Sequence, residues 1–130
     1  MIEIIKTIFL LLVFYQIKHY LADYLLQGKY MLGKFKEKGW EIPLAAHCGV
    51  HAVMTMFIAV IMGMGFWVVV AVTFFDFVSH FIIDKIKVEL SRGHTPQTAA
   101  FWYHLGLDQM AHHLVHYNII FFIVMRMFGL

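Results

Sequence analysis

Four apolar runs, at about 2–26, 43–62, 66–86 and 107–130, dominate this 130-residue chain. Each is close to the ~20 residues needed to cross a hydrocarbon core of about 30 Å. Together they leave room for short connections and for no separate soluble domain. The sequence therefore predicts an all-α fold, a polytopic four-transmembrane-helix bundle made of two hairpins, with residues 1–130 as one domain. Composition agrees: 62% hydrophobic and 14% charged residues, with a mean hydropathy of +0.75, do not furnish a water-soluble surface. The lone Cys48 permits no intrachain disulfide, and a formal charge of +2, spread along the chain, excludes a nucleic-acid-binding role.

The first run lacks a strongly basic start and a small-residue cleavage site, so it reads as a retained helix rather than a signal peptide. Segment 28–42 is a Gly- and Lys-rich connection, Gly63, Met64 and Gly65 form a tight one, and 88–104 begins polar and ends in the interfacial cluster Phe101, Trp102, Tyr103. Lys29, Lys34, Lys36, Lys38, Lys85, Lys87 and Arg92 lie in or beside the two long loops, whereas the other side offers only Lys6 and Arg126. The positive-inside rule then makes the long loops cytoplasmic and puts both termini outside an inner or plasma membrane. A three-crossing arrangement, with the first run in the interface, is the alternative.

Ionisable groups at membrane depth cost several kcal/mol unless paired, hydrated or metal-bound, and every run carries two. The pairs are His19/Asp23, His47/His51, His80/Asp84 and Asp108/His112. A spacing of four puts both members on one helix face, about 6 Å apart along the axis. With alternating helix direction all four pairs fall near the cytoplasmic ends, the histidines His19, His51, His80 and His112 deeper and Asp23, His47, Asp84 and Asp108 shallower. Adding 61 to 19, 23, 47 and 51 gives 80, 84, 108 and 112, so the second hairpin repeats the spacing of the first. This suggests a two-hairpin duplication about an axis along the membrane normal.

The plain reading is a set of buried His and Asp residues hydrogen-bonded across helices. Eight residues of two types at one depth point instead to metal ligation, for which imidazole and carboxylate suit one or two divalent transition-metal ions, Zn first and Fe or Mn otherwise. Asp76 and His116 lie one turn deeper, where they would pair to orient ligands or shuttle protons, with Tyr15 and Thr55 at the same level. Cys48 and His113 sit about 100° round from the stripes and read as packing residues. No role is assigned to His94 or His104.

The segments L21-A-D23-Y-L-L-Q27 after His19, H47-x3-H51, H80-F-I-I-D84-K-I-K87 and L107-D108-Q109-x2-H112 resemble the signature of a domain-of-unknown-function family of small bacterial and phage membrane proteins. That resemblance covers nearly the whole chain and implies no activity. In layout the chain is also similar to the LexA-regulated, membrane-bound metal-dependent hydrolases, whose name implies a metal and hydrolysis.

The expected function is metal-dependent hydrolysis of a phosphorylated or acylated amphiphile at the cytoplasmic face. Asp108, Asp76 and His116 are the candidate catalytic residues. Lys29, Lys85, Lys87 and Gln27, with Arg92, are candidates for holding an anionic lipid headgroup; the lysines also serve simply to set topology. An integral-membrane di-iron oxidase or hydroxylase is a second class, suggested by H112-H-x2-H116. A metal or proton transporter is a third, opposed by the apolar stretches 4–14, 56–62 and 119–125, and a structural or regulatory subunit is a fourth. The expected partners are the bilayer and an anionic lipid substrate, and the Phe- and Met-rich surface suits lipid or a further copy of the chain equally.

Overall fold

The computed structural model describes all 130 residues and is entirely helical. Its long elements are α1 (Ile2–Tyr20), α2 (Glu41–Ile61), α3 (Phe66–Leu90) and α4 (Ala99–Phe128). A π-helical turn, Leu21–Leu25, continues α1, and a 3-10 turn, Met31–Phe35, interrupts the connection to α2. Each long helix packs on two neighbours, closing a ring in the order α1, α2, α3, α4 and back to α1. The shortest link is the α2–α3 turn, where Gly63 takes the left-handed backbone (φ 72°) that other residues avoid.

Three helical stretches, Ile2–Leu25, Glu41–Ile61 and Phe66–Leu90, are long and apolar enough to cross a membrane. By that measure α4 falls short despite its 30 residues, because it carries Asp108, Gln109, His112, His113 and His116. Three of these five, Asp108, His112 and His116, are nevertheless buried against the other helices. The fourth apolar run understates α4, which begins at Ala99 and takes in the Phe101–Trp102–Tyr103 cluster. Thr98 caps it by accepting from the Phe101 amide, and Trp102 Nε1 donates to the Pro96 carbonyl. The third run likewise stops short of the end of α3 at Leu90.

The interior is divided along its length. At one end Leu11, Tyr15, Ile58, Ala59, Val72, Ile119, Ile120, Ile123 and Val124 form a closed apolar cluster. At the other the same four helices turn histidines, aspartates and Lys18 inward, and the 3-10 turn adds Lys34. Large apolar side chains such as Phe9, Phe57, Trp67, Phe74 and Phe121 point outward, an arrangement that water penalises and lipid does not.

The 28–40 connection is more than a tether. Gly33 is buried against Pro43 so closely that a Cβ there would lie 2.8 Å from Pro43 Cγ. Lys85 stacks 3.5 Å over the Trp40 ring, and Lys87 lies 5.5 Å from the Phe35 ring. Both contacts pin the segment across the polar end of the bundle.

Candidate metal centre

Three tiers of polar side chains cross the bundle. The shallow tier holds Asp23, His47, Asp84 and Asp108, the middle one His19, His51, His80 and His112, and the deepest Tyr15, Thr55, Asp76 and His116. All but Asp23 are buried, and that carboxylate is 22% exposed.

Asp23 owes its aim to the π turn. The wider turn, closed by Leu26 N–H donating to the Leu21 carbonyl at 2.8 Å, brings the carboxylate onto α2. There Oδ1 lies 3.0 Å from His51 Nε2 and 3.3 Å from His47 Nε2, while Oδ2 is 3.1 Å from His19 Nε2. On the far side His112 Nε2 lies 3.4 Å from Asp84 Oδ1. His47 Nε2 joins the two halves, because it is also 3.3 Å from Asp84 Oδ2. Donors that share an ion through bonds of about 2.0–2.1 Å stand roughly 3.0–3.4 Å apart, so these separations fit a coordination shell.

The donor atoms form three groups: Asp23, His47 and His51; Asp84, Asp108 and His112; and His19, His80 and His116. Adding 61 to the members of the first gives those of the second. The third has no carboxylate and has the Lys18 ammonium 3.4 Å from His116 Nε2, which disfavours a cation there. Within the buried site Asp108 Oδ1, His112 Nε2 and His80 Nε2 have no hydrogen-bond partner. Such orphans are expensive unless something else binds them.

Two lysines, neither read as a site residue in the sequence, complete the electrostatics. Lys18 Nζ donates to Asp76 Oδ2 at 2.7 Å, and Thr55 Oγ1 donates to the same oxygen at 2.8 Å. Asp76 and His116 therefore do not meet directly; Lys18 stands between them. Lys34 Nζ reaches Asp84 Oδ2 at 2.7 Å. With neutral imidazoles, Lys18 and Lys34 leave two of the four charges on Asp23, Asp76, Asp84 and Asp108 uncompensated. One divalent cation would balance them.

A cavity of about 150 Å³ opens onto the shallow tier, lined by the carboxylates Asp23, Asp84 and Asp108 and by Gln27, Lys34, Lys87 and Gln109. Gln109 spans the site: its Nε2 donates to Asp108 Oδ2 at 3.1 Å, and its Oε1 lies 3.1 Å from His19 Nε2. Of the residues expected at the rim, Gln27 and Lys87 line the cavity. Lys29 is exposed away from it, and Lys85 is taken by Trp40 and Glu89; Arg92 also pairs with Glu89. His113 lies on the α1–α4 seam, 3.2 Å from Gln16 Nε2, and Cys48 is buried.

The sequence held a signal for Lys18, a lysine inside an apolar run next to a ligand-type histidine. It held none for Lys34, whose neighbours read as a loop. Residues 8–128 match the family model described as "Protein of unknown function (DUF3307)". No curated protein and no solved structure matches the chain.

Proposed function

The chain belongs to the DUF3307 family, and as a member carrying this His/Asp constellation we propose that it is a membrane-embedded, metal-dependent hydrolase of a phosphorylated or acylated amphiphile. The carrying observation is that a His/Asp cluster presents the carboxylates Asp23, Asp84 and Asp108 to a polar cavity at one end of an otherwise apolar bundle, with Asp108 Oδ1 left without a hydrogen-bond partner. In this reading all four helices cross the membrane, both termini lie outside, and the cavity opens at the cytoplasmic leaflet beneath the lysine-rich 28–40 segment.

Divalent Zn, or alternatively Fe or Mn, would be held by Asp23, His47 and His51 and would polarise the scissile group and its water. Asp108 is the group best placed to take the proton of the attacking water, since it borders the cavity and its Oδ1 has no partner. Lys87 and Gln27 in the cavity lining suit an anionic headgroup. The deep Lys18–Asp76–Thr55 network holds the imidazoles from below. The sealed apolar cluster at the other end argues against passage of ions and for chemistry in a dead-end pocket.

The test is elemental analysis of protein purified without chelator, followed by a lipid and phosphoester panel in proteoliposomes. Bound metal with turnover lost on chelation and recovered on reloading supports the reading. Metal-free protein, or proteoliposomes that carry metal or protons without hydrolysing anything, would overturn it; iron with oxygen consumption would favour the oxidase class.

A further inference from the structure

The two halves of the centre, although matched in sequence spacing, are not matched in charge. Lys34 Nζ sits 2.7 Å from Asp84 Oδ2 at 5% residue exposure, whereas the corresponding Asp23 faces only imidazoles. The residue 61 positions after Lys34 is Thr95, exposed in the α3–α4 connection. The lysine therefore breaks the repeat at the point where the second donor group would take its ion.

We propose that the Lys34 ammonium stands in for a second metal ion, so that the centre takes one divalent cation at Asp23, His47 and His51 and keeps a tethered positive charge at Asp84. This rests on the metal-dependent reading above and fixes its stoichiometry and substrate class. His47 Nε2 touches both carboxylates at 3.3 Å, so a cation in the first group and the ammonium are near neighbours, and a further divalent ion at Asp84 would be repelled by both. The charge count agrees, since one divalent ion neutralises the two unpaired carboxylates and two would overshoot.

The backbone is built for this delivery. Only a glycine allows the approach of residue 33 to Pro43 that carries Lys34 inward, and Phe35 and Trp40 clamp the segment beside it. Lys34 also lines the cavity with Lys87. An entering group thus meets a metal on one side and ammonium groups on the other. That suits a phosphoryl group, whose charge is spread over several oxygens, better than an acyl group with a single developing oxyanion.

The test is a titration of the full-length, chelator-stripped protein in detergent with Co²⁺ or Zn²⁺, followed by absorption spectroscopy and equilibrium dialysis. The wild type should take about one ion per chain, Lys34→Met about two, and Lys34→Arg about one. Gly33→Ala, which displaces the turn but leaves the charge in the chain, should move towards two and carries the same expectation if Lys34→Met does not fold. Two ions in the wild type, or a single ion in both Lys34→Met and Gly33→Ala, would overturn the proposal while leaving the hydrolase reading intact. No binding by any of them would remove both.

Discussion

At the scale of single residues, Asp76 and Asp108 have different duties although both are buried carboxylates, Asp76 in the deepest tier and Asp108 in the shallow one. Asp76 is fixed by its charged partner: Oδ2 accepts from Lys18 and Thr55, while Oδ1, 3.1 Å from His80 Nδ1, makes no hydrogen bond. Replacing it with Asn would strand the Lys18 ammonium in a site of 1% exposure. The expected loss is about 3–5 kcal/mol, read as a lowered unfolding midpoint in detergent. The double change Lys18→Met, Asp76→Leu should recover most of it, because no buried charge is then left alone. Asp108→Asn should do the reverse, with the unfolding midpoint nearly kept and turnover reduced by roughly 10²–10⁴-fold at retained metal content. Equal effects of the two single substitutions on turnover would deny Asp108 its role as base. The eight paired residues were legible because spacing alone puts them on one face. Lys34 was not, because its burial comes from a turn and a glycine–proline contact that no periodicity records.

At the scale of elements, the π turn decides whether α1 contributes to the site. A continuous α-helix turns about 100° per residue, so deletion of Ala22, which restores ordinary winding, should swing Asp23 away from His47 and His51. Metal affinity should then fall by more than the ~10–100-fold that a lost supporting contact costs, as measured by competition with a chromogenic chelator. Unchanged affinity would mean that the turn is incidental. The long helices were readable from hydropathy, but their ends were not. Ala99–Tyr103 is helical yet amphipathic, so a search for apolar runs places it in a loop. The 28–40 segment is polar by composition and mostly exposed, yet it buries Gly33 and Lys34 against the bundle. It is fixed by two cation–aromatic contacts, the Gly33–Pro43 approach and the Lys34–Asp84 ion pair, each of which joins the loop to a helix far from it in sequence or at its edge.

For the whole molecule, the lengthwise division of the interior into a sealed apolar end and an open polar end gives the proposed orientation its meaning. Cysteines introduced at Lys36 and Arg92 in a Cys48→Ser background should react with an impermeant maleimide only from the cytoplasmic side of inverted and right-side-out vesicles. Reaction from outside would turn the bundle over and move the cavity to the other leaflet.

The ring of four helices has one further consequence. Its α3–α4 connection runs through 91–98, apart from the site, and each hairpin carries one donor group: Asp23 comes from the π turn continuing α1 and its histidines from α2, Asp84 from α3 and its partners from α4, while His47 Nε2 ties the two groups at 3.3 Å from both Asp23 and Asp84. A chain cut after Gly93 would place three helices in one fragment and α4 in the other, whereas a cut at Gly63 would separate the two donor groups' helices evenly. Co-expressed halves 1–63 and 64–130 should therefore find each other in the membrane and co-purify with bound metal, while either half alone should be degraded.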